Sequence, residues 1–178
     1  MKPPEHIETE RLILRKPRPE DAEAMFTGWA QDKDVTLYLT WRPHKSIEES
    51  HEIIRICLQL WEGEDDHPYV LTLKEKDHPI GMLALHPDGF KVALGYVLAK
   101  SYWSKGYMTE ASRVVIDWLF QQKEIYRVFA TTDVENIGSQ RVLEKAGMTR
   151  EGLLQRYIMH PNISDEPRDC YMYAIVKL

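Results

Sequence analysis

Two segments of this sequence carry residue types at spacings suited to chemistry. The first is SYWSKGYMTEA, residues 101–111, where Ser104, Lys105 and Gly106 precede Tyr107, Met108, Thr109 and Glu110. KVALGYVL before it alternates and runs apolar, and EASRVVIDWLF after it repeats its apolar residues at helical spacing. A strand therefore feeds a helix through a glycine-bearing turn. Unpaired backbone N–H groups and the helix dipole at such a start suit an anion, a pyrophosphate above all. Gly106 lets a ligand approach the backbone closely, and Lys105 or Ser104 adds a donor to phosphate. A tight turn with a solvated lysine is the plainer account of the same residues. Neither GxxxxGKS, GxxxxGKT nor GxGxxG occurs, so the strongest nucleotide signatures are missing.

The second segment is TTDVENIGSQRVLEKAGM, residues 131–148. A strand ends, Asn136 begins a helix, and Ser139 lies on its first turn. The Ser139 hydroxyl is placed to partner a first-turn amide. Asn136 is a sound N-cap for that helix. Three acids, Glu110, Asp133 and Glu135, are candidates to accept a proton, and a water chain would serve as well. A first-turn acid such as Glu110 also simply complements the helix dipole. No two carboxylates form an evident acid/base dyad. The histidines at 6, 44, 51, 67, 78, 86 and 160 show no HExxH or comparable spacing, so no metal site is expected.

The elements that position these groups follow from periodicity. RLILR (11–15) reads as a strand. PEDAEAMFTGWA (19–30) reads as a helix with Ala22, Met25, Phe26 and Trp29 on one face, and a loop, DVTLYLTWRPHK, follows. Ser46 and Glu49 form a capping-box pattern for a helix bearing Ile47, Ile54, Cys57, Leu58 and Trp61. Strands are expected at 68–74, 79–86 and 91–98, the last two joined as a hairpin by HPDGF. A helix at 107–122, a strand at 126–132, a helix at 138–147 closed by Gly147, and strands at 153–160 and 170–177 complete the order. One mixed sheet with helices on both faces accommodates it.

The 178 residues suit one domain with a real core. A net charge of -5 argues against a broad nucleic-acid surface and mildly favours a cationic partner. Cys57 and Cys170 stand far apart and read as two buried thiols. No apolar run reaches signal-peptide or membrane-spanning length, which points to the cytoplasm.

Together, YWSKGYMTEA and NIGSQRVLEKAGM resemble the GNAT superfamily of acetyl-CoA-dependent N-acetyltransferases, in particular the ribosomal-protein N-terminal branch. That branch shows YWGKGYATEA and NxxSxRVLEKxGF, and the opening ETERLILRKPRPEDAEAMF is similar to its TERLxLRxxxxxDA start. The likeness runs from about residue 8 to the end, in correct order. It implies a single N-acetyltransferase domain over 1–178, an α/β fold with a central mixed, largely antiparallel sheet of about seven strands, splayed at the fourth. It also implies acetyl-CoA as co-substrate without a metal, and a primary amine acceptor, a protein N-terminus or a small molecule, outside nucleic acid and membrane. Either a monomer or a homodimer fits.

The resemblance places the pyrophosphate on backbone N–H groups from Ser104 to Thr109. It places the pantetheine arm beside the strand at Tyr96, Val97 and Leu98 and against Asn136, with Ser139 as proton donor to the departing thiolate and Glu110 as a candidate base. Departures exist: Ser104 and Met108 replace Gly and Ala, Ala93 stands where Glu is usual, Met148 replaces Phe, and Leu143 holds the position where many members carry Tyr. They keep a non-catalytic acyl-CoA-binding module open as the alternative. The acids of the loop at 160–169, Asp165, Glu166 and Asp169, are expected to favour a cationic acceptor by steering.

Overall fold

The computed structural model describes residues 2–63 and 66–177. Eight strands form one sheet in the order β1-β2-β3-β4-β5-β6-β8-β7. They are β1 His6–Glu8, β2 Leu12–Arg15, β3 His67–Leu73, β4 Lys76–Asp88, β5 Lys91–Leu98, β6 Arg127–Asp133, β7 Thr149–Ile158 and β8 Arg168–Val176. The additional strand relative to the sequence expectation is β1, three residues long and paired to β2 from His6↔Arg15 to Glu8↔Ile13. Its length is too short for an alternating pattern to register.

Pairing is antiparallel throughout except at β5–β6, which is parallel. That junction holds only Lys91↔Arg127, Val92↔Val128 and Ala93↔Phe129. Beyond Ala93 the two strands part, while β5 stays paired to β4 up to Gly81↔Leu98. The splay falls on the strand where the resemblance implied it, which is now the fifth. At Gly81 a Cβ would lie 2.3 Å from the Val97 carbonyl oxygen, so only glycine lets β4 come this close to β5.

Alternation along the strands divides the core between two faces. Tyr69, Leu71, Leu83 and Leu85 pack with Val115, Ile116 and Leu119 of α4 (Tyr107–Gln121). Val70 and Met82 face the other way, onto Ala22, Met25 and Trp29 of the first helical segment and Ile54 and Cys57 of α3 (Ile47–Glu62). That first segment is α1, Asp21–Met25, continuing as a π-helical turn over Phe26–Ala30, where the sequence reads as one regular helix. The loop expected after it contains one helical turn, α2, Lys33–Thr36, capped by the Asp32 side chain. α3 starts without the expected capping box: Ser46 makes no side-chain cap bond, and Glu49 instead accepts from the Lys45 N–H at 2.9 Å.

The last helix, α5 (Ile137–Lys145), ends as Gly147 implies. Gly147 has φ of 96°, its N–H reaches the Glu144 carbonyl, and the Met148 N–H reaches the Leu143 carbonyl. That pair of bonds is a Schellman closure. Leu143 itself is fully buried in the core.

Candidate active site

Two adjoining features occupy the divergence of β5 and β6. One is a cleft of about 650 Å³. Its walls include Leu94 to Val97 of β5, Ala130 to Asp133 of β6, and Asn136 and Ser139 at the start of α5. The other is the turn into α4.

At that turn Gly106 has φ of 81° and Ser104 φ of 60°. Left-handed backbone costs an L-residue roughly 1–2 kcal/mol, which gives a physical reason for Gly at position 104 in the related motif. Gly106 is the N-cap of α4 and supplies no side-chain cap. Among the described residues, none accepts a hydrogen bond from the backbone N–H groups of Ser104 to Thr109. Unclaimed donors at a helix start fit a pyrophosphate. The side chains behave differently from the backbone. Met108 and Thr109 are buried, Tyr107 lies under the Arg11 guanidinium at 4.5 Å, and the Lys105 ammonium sits 5.4 Å from the Tyr102 ring.

Arg11, which the sequence reading left as part of a strand, braces this turn. Its Nη1 donates to the Lys105 carbonyl at 3.0 Å and its Nε to Glu110 Oε2 at 2.7 Å. Glu110 also accepts from the Arg11 N–H at 2.8 Å and the Thr9 hydroxyl at 2.5 Å. Burial pushes the Glu110 carboxyl up, but the bonds from Thr9 and Arg11 outweigh it and hold it below its ordinary value. Glu110 is not among the cleft-lining residues.

Inside the cleft, the Tyr96 hydroxyl meets Ser139 Oγ at 2.8 Å. Burial raises the Tyr96 phenol well above its usual range, so it stays protonated at neutral pH. The Asn136 side chain caps α5 by accepting from the Ser139 N–H at 3.1 Å. Leu98 lies past the lining residues, and its carbonyl accepts from Trp103 Nε1 at 2.7 Å.

The far end of the cleft holds a group of charges. Asp133 is buried and accepts from Arg168 Nε and Nη2 at 2.6 and 3.1 Å and from the Glu135 N–H at 2.9 Å. Burial works against this carboxylate, yet Arg168 and that N–H keep its pKa lowered. Arg168 also donates to Glu135 at 2.8 Å. Tyr38, Trp41, Tyr157, His160 and Cys170 complete this end, and burial pushes the Cys170 thiol up to about 11. Trp41 lines the cleft; Arg42 does not.

Of the acids expected at the rim, Asp165 and Glu166 are exposed and Asp169 is half-buried. Asp169 accepts from the Arg156 N–H at 2.8 Å, Glu166 faces the Arg156 guanidinium at 3.5 Å, and Arg168 turns inward to Asp133. From the same loop, Asn162 Nδ2 donates to the Thr36 and Trp41 carbonyls at 2.7 and 2.8 Å, fastening two rims of the cleft together. Neither Asn162 nor His160 carries a motif signal, since both act through contacts distant in sequence. Among the described residues, no cluster of three or more His, Cys, Asp or Glu side chains is placed to hold a metal ion. No helix among them is long and apolar enough to cross a membrane.

Comparison with known proteins agrees with this geometry. The acetyltransferase (GNAT) domain family matches residues 11–149. The uncharacterized N-acetyltransferase YoaA of Bacillus subtilis is 30% identical over 174 residues, covering 96% of each chain. A GNAT-family acetyltransferase from Bacillus anthracis superimposes with a TM-score of 0.84 at 29% identity, over 96% of this chain and 98% of that one. RimL, a ribosomal-protein alpha-N acetyltransferase solved in complex with coenzyme A, shares the fold with a TM-score of 0.82 at 20% identity, over 97% of this chain and 98% of that one.

Proposed function

The chain belongs to the GNAT acetyltransferases, and from that membership we propose that it moves an acetyl group from acetyl-CoA to a primary amine by direct transfer inside the β5–β6 cleft. The observation that carries this reading is the loss of strand pairing beyond Ala93 beside the Tyr96–Ser139 pair. Backbone groups of β5 left without a strand partner can pair with an extended pantetheine arm as an added strand would. The N–H groups from Ser104 to Thr109 would hold the pyrophosphate, leaving the thioester near Tyr96 and Ser139.

Acetyl-CoA supplies an activated carbonyl and a thiol leaving group. A β5 backbone N–H stabilises the charge developing on that carbonyl oxygen. Ser139, hydrogen-bonded by Tyr96, gives a proton to the departing sulfur. Asn136 orients the first turn of α5 that bears Ser139. We assign Glu110 to bracing the cradle turn through Thr9 and Arg11, where three donors already occupy its carboxylate. The acceptor is a primary amine of a protein N-terminus or a small molecule, and residues 1–178 act as one N-acetyltransferase domain.

The test mixes purified protein with acetyl-CoA and a panel of amines while following thiol release, alongside calorimetric titration with coenzyme A. Amine-dependent release supports transfer. Tight coenzyme A binding without turnover on any amine would replace this reading with a binding module.

A further inference from the structure

We propose that His160 accepts the proton from the acceptor's ammonium group, with Asp133 and Arg168 as the positioning pair behind it. The proposal rests on the acetyl-transfer reading above. His160 follows β7, is 4% exposed, and lines the same cleft as Tyr96 and Ser139. Neither Nδ1 nor Nε2 has a hydrogen-bond partner of normal geometry among the described residues. Folds rarely leave a buried polar ring in that condition without a use for it. Both ring nitrogens are closed to solvent as the ring stands, and a turn of the ring toward the cleft would give a ligand group there the place of the missing partner.

The other candidates are occupied. Glu110 lies off the cleft lining, tied to Thr9 and Arg11. Asp133 and Glu135 both accept from Arg168, and for the buried Asp133 that bond helps hold the carboxyl below its ordinary value, which makes it a weak base. Two cleft-lining histidines remain among the described residues: His86, whose Nδ1 faces the Asp66 carboxylate at 2.8 Å, and His160, whose ring nitrogens make no hydrogen bond of normal geometry.

Its surroundings come from three directions. Asp133 on β6 puts Oδ2 3.7 Å from Nε2, too long for a normal hydrogen bond but close enough for charge to act. Arg168 and Cys170 approach from β8, and Tyr38, after α2, meets the ring edge-on with centroids 6.4 Å apart. Burial depresses the His160 pKa and Arg168 depresses it further, while Asp133 and the Leu39 carbonyl pull it back up. The ring is neutral at pH 7, and its conjugate acid has a carboxylate at hand.

The step balances. One ammonium proton passes to the imidazole, freeing the nitrogen lone pair to bond to the acetyl carbon as the C–S bond breaks. A second N–H proton replaces the one Ser139 gives to the thiolate sulfur. The imidazolium then returns its proton to water. Amine and thioester become amide and thiol.

The experiment compares the parent with His160→Gln, using acetyl-CoA and a peptide with a free N-terminus, phenethylamine and spermidine as acceptors. In the parent, kcat/KM should show an acidic limb besides the amine's own ionisation. The His160 ring, followed by NMR, should titrate at that same pH, below the ordinary histidine value of about 6.5. His160→Gln should lose that limb and roughly 10- to 100-fold in kcat, with the KM for acetyl-CoA unchanged. A variant that keeps the parent's kcat and limb overturns the proposal and leaves acetyl transfer standing. A parent inactive on every amine removes both. Should the variant fail to fold, the parent's ring titration decides: neutral at pH 7 and matched to the limb supports the role, and charged at pH 7 overturns it.

Discussion

The Tyr96 hydroxyl lies 2.8 Å from Ser139 Oγ, joining β5 to the first turn of α5 across the cleft. With Tyr96 donating, the Ser139 proton is free to point at a leaving group. Ser139→Ala should lower kcat by roughly 10- to 100-fold and leave acetyl-CoA affinity nearly intact. Tyr96→Phe should cost less, and the double variant should resemble Ser139→Ala alone, because both side chains serve one proton. Undiminished kcat in Ser139→Ala, with chemistry shown to limit the rate, would remove Ser139 from the mechanism.

Gly106 and Ser104 are both left-handed, and they answer to opposite substitutions. Gly106→Val puts a branched side chain at a φ it tolerates badly, at the spot where phosphates would approach. Acetyl-CoA affinity should fall at least tenfold, about 1.4 kcal/mol. Ser104→Gly relieves strain and should raise unfolding stability by up to about 1 kcal/mol, less the entropy glycine adds to the unfolded chain. Calorimetry and thermal unfolding read the two effects separately. Unchanged binding in a folded Gly106→Val protein would move the cradle elsewhere.

Glu110 contributes to pH-dependent stability. Its folded pKa is depressed, so its contribution is present above its unfolded value of about 4.3 and is lost as pH falls through the lower folded value. Glu110→Gln should cost about 1–3 kcal/mol near neutral pH, since the Arg11 guanidinium and N–H lose a charged acceptor. The difference from the parent should shrink in acid. The pH–rate profile of the variant should keep its shape. A lost acidic limb would instead return Glu110 to the list of bases.

Asn162→Ala should unfasten the loop after β7 from the loop carrying Trp41. Two part-buried carbonyls lose their donor, and the acceptor side of the cleft loosens. We expect the amine KM to rise by about tenfold, the factor 1.4 kcal/mol represents, while the acetyl-CoA KM stays put. Equal changes in both constants would mean the bond serves only the fold.

The sequence was most informative where chemistry and local structure coincide. The strand–Gly106–helix turn, Asn136 as a cap and Gly147 as a helix stop depend on neighbours within a few residues, and the coordinates bear out each of these local structures. Periodicity likewise located β3 at 68–74, one residue off the observed His67–Leu73, and β4 at 79–86, inside the observed Lys76–Asp88. β1 was missed because three residues carry no period, and the π-helical turn because Phe26–Ala30 still spaces its apolar residues like a helix. His160, Asn162 and Arg11 were missed for another reason. His160 looked like one of seven scattered histidines. Its significance comes from Asp133, Arg168 and Tyr38, which only the folded sheet brings to it. The partners of the acidic loop are distant in the same way: Asp169 accepts from the Arg156 N–H and Glu166 faces the Arg156 guanidinium, while Asp165 is exposed.

Because three residue pairs are all that stitch β5 to β6, the sheet behaves as a five-stranded leaf and a three-stranded leaf meeting at a shallow seam. A molecule that hydrogen-bonds to the open side of β5 while touching β6 acts as a keystone between the leaves. Occupancy and stability then become one quantity: at a hundred times its dissociation constant, such a ligand adds about 2.7 kcal/mol to unfolding. Amide exchange should slow first at Leu94 to Leu98, where solvent would otherwise enter the seam.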